Sequence, residues 1–452
     1  MAIIVLQRLN RFFNRKSHKS NPKRVEKTQD HNLNAHQICP KALQVVRVLQ
    51  DNKYQAFLVG GCVRDLLIGK NPKDFDVATN AKPNEIKSLF RRARIVGRRF
   101  QIVHVQFGRE IIEVTTFRSN STDKTSSSHA KRHLKQSKTG VLTRDNVFGS
   151  IKEDAQRRDL TINAIYYDPN DNSLHDFCQG LKDLKNQKIR IIGEPDQRYR
   201  EDPVRLLRVL RFAAKLNFTI EPLTLRPLKK MAQNLSHISA PRLFDETLKL
   251  FMGGEGLATF KLLMEFGLFA VIMPQTNRII GRDNSFALRL VEQAFKNTDL
   301  RVHHNQRVTP AFIYAALLWP SVQQLASSLQ NKGQSPSIAM NRAANEVIAN
   351  QIPITAIPRR FTTTMREIWS LQLTLPRRNG QRAKRLSEHP RFRAAYDFVL
   401  LREQAGENLD GLGDWWTKYQ QVNEFERQEM VKKLGAPKRK RPRQRQRKPR
   451  IN

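Results

Sequence analysis

The chain has 452 residues, room for two or three domains, and carries 80 Lys plus Arg against 41 Asp plus Glu for a formal net charge of +39. So basic a balance points to a polyanionic partner, nucleic acid ahead of a membrane surface. The three cysteines, Cys39, Cys62 and Cys178, are scattered and in no CxxC spacing, which excludes a disulfide framework and a zinc site and fits a reducing cytoplasm.

The N-terminal AIIVLQRLNRFFNRK is interrupted by Arg8 and Arg11, too short and too charged for a signal-peptide core or a membrane span. As a helix it is weakly amphipathic, so membrane-surface contact is a second reading beside a frayed basic end. Residues 1–35 read as a largely disordered basic lead-in, with order expected from about His36. ICPKALQVVRVLQDN has helical spacing with Pro40 in its first turn, and YQAFLVGG is a short apolar run stopped by glycines. CVRDLLIG predicts a helix, DFDVAT a strand, PNEIKSLFRRA a helix opened by Pro83, and VHVQF and EIIEVTTF two strands joined by a turn at Gly108 and Arg109. A mixed α/β head over residues 36–165 results. Residues 119–145 form a polar insertion without periodicity, expected to be a mobile loop. RDLTINAIYYDP predicts the start of a helix leaving the sheet. Long amphipathic stretches then dominate, with a neck at 166–275, a body at 276–425 and a disordered basic tail at 426–452 that ends in PKRKRPRQRQRKPR. The fold class is α+β: a head with a mixed β-sheet and flanking helices, then an all-α neck and body.

Chemistry concentrates in FLVGGCVRDLLIGKNPKDFDVAT. Alternate residues of a strand share a face, so Asp74 and Asp76 are expected to project together while Phe75 faces the core. Paired carboxylates of this kind can hold two Mg²⁺ ions about 3.5–4 Å apart, the arrangement that serves phosphoryl or nucleotidyl transfer. A third acid comes from Glu113, which shares a strand face with Ile111 and Thr115, or from Asp159, whose role is catalytic or ribose-orienting. Gly60 and Gly61 let backbone approach a phosphate at a helix start, and Arg64, beside Asp65, can grip a triphosphate oxygen. Against this stand plain structural readings: an exposed acidic turn, and a tight strand-to-helix turn with a solvated Arg64–Asp65 pair.

Asp202 and Arg205 in REDPVRLLRVLRFAA are three apart on one helix edge, an acceptor beside a donor fork. Adenine's amine and ring nitrogen match that pair, cytosine presents a similar edge, and uracil and guanine leave partners unsatisfied. An N-cap Asp202 ahead of Pro203 explains the same residues structurally. Arg208 and Arg211 extend the row toward triphosphate or primer. In RRNGQRAKRLSEHPRFRAAY, Phe392 and Tyr396 are core or base-stacking residues, with core the more frequent outcome at helical spacing. Trp319 and Trp369 read as packing.

LVGGCVRDLL, KDFDVAT, EIIEVTTFR, EDAQRRDLTINAIYYD, GLKDL and REDPVRLLRVLRFAAKL together resemble the bacterial poly(A) polymerases. These are class II nucleotidyltransferases, related to the tRNA CCA-adding enzymes, and the resemblance runs from about Pro40 to about Glu403. It implies a nucleotidyltransferase head, a base-reading neck and an RNA-holding body. Asp74 and Asp76 would be metal ligands. Gly60, Gly61 and Arg64 would lie at the triphosphate, Arg157, Arg158 and Asp159 at the sugar and phosphates, and Asp202 and Arg205 at the base. Cys62 departs from the pattern, since a third glycine is common there. IVGRRFQIVHVQFG, IPRRFTTTMREIWSLQL and the basic tail favour the poly(A) branch. The implied reaction is template-independent addition of AMP from ATP to RNA 3′ ends. A CCA-adding enzyme is the alternative, and a non-catalytic RNA-binding protein a further one. RNA-degradation machinery or an RNA chaperone enters as a candidate partner.

Overall fold

The computed structural model describes residues 26–33, 35–97, 101–119, 135–136, 142–144, 147–281 and 285–435, and divides into two compact units, Met1–Glu194 and Pro195–Asn452. In the first, helix α1 (Pro40–Asp51) buries Ala42, Val45, Val46 and Leu49, one apolar stripe, with Pro40 in its first turn. Strand β2 (Ala56–Val59) is buried throughout and runs into α2 (Gly61–Leu67). There follow β3 (Asp76–Thr79), α3 (Pro83–Leu89), β4 (Ala93–Val96), β5 (Ile102–Phe107) and β6 (Glu110–Thr116). Gly108 takes a φ of +62° in the two-residue turn joining the β5–β6 hairpin, as expected.

With β1 (Glu26–Thr28), β9 (Ile165–Asp168) and β10 (Ser173–Asp176), these strands form one eight-stranded mixed sheet in the order β1-β10-β9-β2-β3-β6-β5-β4. The pair β3–β6 is parallel and the remaining neighbours are antiparallel. Helix α4 (Ile151–Arg157) starts at a capping box in which Ser150 and Glu153 satisfy each other's backbone N–H. Helix α5 (Gly180–Lys185) follows β10.

Three expectations are corrected here. RDLTINAIYYDP does not start a departing helix: a single 3-10 turn (Thr161–Asn163) leads into β9, whose Ile165, Tyr166 and Tyr167 are all buried between β2 and β10. A strand covered on both faces reads as a continuous apolar run, which periodicity cannot tell from a buried helix. The unit holding the sheet therefore extends to Glu194 rather than to residue 165. Order begins before His36, because the polar β1 pairs with β10 through its backbone, and Lys27 also reaches Asp171 at 2.6 Å. Within the polar insertion, β7 (Lys135–Gln136) pairs with β8 (Leu142–Arg144); most of the rest lies outside the described residues.

The second unit is almost entirely helical. It includes α6 (Pro195–Glu201), α7 (Val204–Leu216), α8 (Ala240–Phe251), α9 (Ser285–His303), α10 (Pro310–Asn331), α11 (Pro336–Gln351), α12 (Arg359–Gln372), α13 (Phe392–Gln404), α14 (Leu412–Gln421) and α15 (Glu424–Lys432). Trp319 and Trp369 are buried as packing residues, and Phe392 and Tyr396 join a core around Trp416. Residues 426–432, expected to belong to the tail, are helical instead: Asn423 and Glu426 form a capping box for α15, and Met430 and Val431 pack on that same core. The stretch 436–452 lies outside the described residues, as does the N-terminal apolar segment. No helix among the described residues is long and apolar enough to cross a membrane.

Candidate active site

Strand β3 begins at Asp76, so Asp74 stands just before it and is exposed, and strict alternation governs Asp76 alone. The two still share a field. Burial pushes the Asp76 carboxyl up to about 6, repulsion from Glu113 adds to this, Arg158 pulls the other way, and Asp74 contributes a further rise. Glu113 sits directly across the parallel β3–β6 pair from Asp76. Of the two candidate third acids, the sheet register therefore brings Glu113 beside Asp76. Asp159 follows α4 and accepts a hydrogen bond from Asn163 Nδ2 at 3.4 Å.

Among the described residues, no group of three His, Cys, Asp or Glu side chains forms a ready metal cage. The donor set nevertheless fits Mg²⁺, a hard cation that keeps several waters and takes one or two carboxylates together with substrate phosphates. Carboxylate oxygens that repel one another, one of them with its pKa raised, are what a divalent ion relieves.

Gly60 has φ +82° and ψ −129°, a conformation that side chains with a Cβ rarely adopt. A Cβ there would stand 3.6 Å from Arg158 Nη1 and 3.8 Å from Asp76 Oδ2. The glycine thus keeps open the space beside a cation and a carboxylate. Arg64 points inward: it is 2% exposed, donating through Nη1 to Asn163 Oδ1 at 2.6 Å and through Nε and Nη2 to Asp65 Oδ1 at 2.8 and 2.6 Å. It ties the glycine turn to the segment after α4 instead of reaching outward. Cys62 is buried, donates to the Val59 carbonyl at 3.3 Å, and has its thiol pushed up to about 12, mainly by burial, so it serves as packing.

Arg158 is oriented by two residues that sequence reasoning passed over. Its Nε donates to Asp154 Oδ2 at 3.2 Å and to Tyr166 Oη at 3.0 Å, its Nη2 to Asp154 Oδ2 at 3.1 Å, and Tyr166 Oη donates to the same oxygen at 2.7 Å. Arg157 Nε reaches Asp154 Oδ1 at 3.3 Å, and the Arg118 amide donates to it at 3.2 Å. Burial alone would raise the Asp154 pKa, but Arg158, Arg157 and these hydrogen bonds hold it below the usual carboxylate range. The signal for Asp154 was present in EDAQRRD, whose acid precedes the two arginines by three and four residues on a helix. Tyr166, on β9, had none.

In the second unit, Asp202 and Arg205 do not bond to each other through their side chains. Asp202 Oδ1 accepts from the Val204 amide at 3.3 Å and Oδ2 from Arg242 of α8 at 2.7 Å, while Arg205 Nη1 donates to Glu201 Oε2 at 3.0 Å and to the Arg198 carbonyl at 2.8 Å. The N-cap expectation for Asp202 is corrected: α7 starts at Val204 with Pro203 in the capping position, one residue later. The guanidinium carbons of Arg208 and Arg211 lie 5.4 and 4.9 Å from the ring centroid of Phe212.

Residues 56–190 match a family model described as the poly A polymerase head domain. Poly(A) polymerase I of Escherichia coli O6:H1 is 45% identical over 433 residues, spanning 93% of this chain and 92% of that one. The chain belongs to the poly(A) polymerase family of nucleotidyltransferases. Poly(A) polymerase I of Haemophilus influenzae is 44% identical, with 90% of each chain covered. Residues 217–280 match the model described as a probable RNA and SrmB-binding site of polymerase A, and 332–450 that of the polymerase A arginine-rich C-terminus. The CCA-adding enzyme of Lactobacillus helveticus is 35% identical over 50% of this chain and 53% of its own. Among solved structures, the Bacillus stearothermophilus CCA-adding enzyme in complex with CTP shares the fold, with a TM-score of 0.57 at 23% identity over 88% of this chain and 89% of that one.

Proposed function

We propose that this protein adds AMP from ATP to RNA 3′ ends without a template, releasing pyrophosphate, and so polyadenylates transcripts in the cytoplasm. The observation that carries this reading is likeness to poly(A) polymerase I over nearly the whole chain, where likeness to a CCA-adding enzyme covers half. Asp74 and Asp76 are the ligands for two Mg²⁺ ions, and Glu113, in register with Asp76, completes the acidic row. Mg²⁺ bound there supplies charge that eases ionisation of the attacking 3′-hydroxyl and departure of pyrophosphate. The chain's own part is positioning: Gly60 and Gly61 admit the triphosphate, Arg158 faces it with Arg157 alongside, and the Arg64–Asp65 pair holds the turn. Asp159 orients the ribose. In the neck, Asp202 and Arg205 read adenine, with Arg208 a further nucleotide-binding residue.

Asp76→Ala is expected to abolish incorporation of labelled AMP while RNA affinity, read by gel shift, stays within about two-fold; extension at the parent rate would overturn the metal assignment. Each nucleotide offered singly to an unstructured RNA and to tRNA lacking its end separates the branches. Long A-only tails support this reading, and a stop after C, C and A supports the CCA-adding one.

A further inference from the structure

The far side of the acidic row ends in a basic cavity that no step above uses. Arg91, Arg92, Arg94, His104, Gln106 and Ile111 line a cavity of about 340 Å³. Its geometry follows from strand register: Arg94 of β4 pairs with His104 of β5, His104 with Glu113 of β6, and Glu113 with Asp76 of β3. One row of side chains therefore runs across four strands from the metal-site carboxylate to the sheet edge, and Gln106 and Ile111 form the next row. With strands about 4.8 Å apart, the arginine backbone lies roughly 14 Å from that of Asp76.

The lining includes three arginines and no acid. No side chain among the described residues pairs with Arg91, Arg92 or Arg94. An edge strand needs some charge to deter pairing with another sheet. A concave cluster of three unpaired guanidiniums is more than that purpose requires, and it repels itself unless an anion lies among them. His104 adds a second observation: its Nε2 is buried without a hydrogen-bond partner, 3.5 Å from Glu113 Oε1. Ile111, 48% exposed, supplies an apolar floor.

We infer that this cavity holds the last phosphodiesters of the RNA strand behind its reacting 3′-hydroxyl. The inference rests on the adenylation reading, because in-line displacement places the attacking oxygen opposite the leaving pyrophosphate. Gly60 and Arg158 stand on the β2 side of Asp76, where the triphosphate enters. The attacking strand therefore arrives from the Glu113 side, and its backbone then crosses β5 and β4 toward the arginines. Phosphate contacts of this kind fix the strand's register without reading its sequence.

The test uses the full chain with R91A, R92A and R94A combined, all on exposed side chains. The KM for a short oligoadenylate is expected to rise about ten-fold or more while the KM for ATP moves less than about two-fold. Without ATP or metal, the slope of log affinity against log salt becomes shallower by about 2, since each single-strand phosphate contact accounts for about 0.7. Neutral methylphosphonates in the last few linkages should weaken binding to the parent and leave the variant nearly unaffected. An unchanged RNA KM, or equal losses to the neutral linkages in both proteins, overturns the assignment. Failure of the adenylation reading shows separately, as a parent that incorporates no AMP, while the binding measurements still judge the cavity.

Discussion

Asp76 is held in a costly state by its surroundings. An unfolded aspartate titrates near 3.9 and native Asp76 at about 6, so between those values the native state binds the extra proton. The contribution of Asp76 to the stability of the metal-free protein therefore falls as pH rises from about 4 to about 6 and stays lower above it, the reverse of a salt-bridged aspartate. Asp76→Asn removes the fall. In EDTA at pH 7 the variant is expected to be more stable than the parent by on the order of 2 kcal/mol in urea unfolding. Added Mg²⁺ should stabilise the parent and leave the variant unmoved. Parent and Asp76→Asn stabilities that change in parallel across pH 4 to 7 would show that the carboxylate is relaxed.

Among the elements, α4 acts as a delivery arm. Its capping box fixes where it starts, and within one turn it presents Asp154, Arg157 and, just past its end, Arg158. Asp154, 3% exposed, pairs with both arginines and also accepts a hydrogen bond from Tyr166 of β9. Asp154→Asn leaves Arg158 without its counter-charge and is expected to destabilise the protein by about 3 kcal/mol. In whatever folds, the KM for ATP should rise while RNA affinity holds. Chemical denaturation and initial rates at varied ATP check both halves. A variant as stable as the parent with an unaltered ATP KM would show that Arg158 is oriented without it. The element that sequence reasoning misassigned, β9, is the one that supplies Tyr166.

For the whole molecule, the net charge of +39 is the dominant feature, and residues 437–452 carry nine Lys and Arg with no acid. A chain that must accept many RNA sequences gains affinity from phosphate contacts, which carry no sequence information. Deleting residues 437–452, which include PKRKRPRQRQRKPR, is expected to weaken RNA binding and flatten its dependence on salt, as fewer counterions are released. Affinity titrations across a salt series measure this, and superimposable series for the two proteins would assign the tail another purpose.

Sequence by itself determined the local parts: the amphipathic helices, the β5–β6 hairpin, the glycine turn, and Glu113 on one face with Ile111 and Thr115. Each depends on neighbours within a few residues, where periodicity and turn chemistry apply directly. Only tertiary structure decided which partners those residues meet. Arg64 finds Asn163 across 99 positions and Asp202 finds Arg242 across 40, distances at which no spacing rule operates. Strand pairing set Glu113 against Asp76 and carried the same row on to His104 and Arg94. Register is a property of two strands together, so the order of the sheet, which no single segment encodes, aligned the acids with the arginines beyond them.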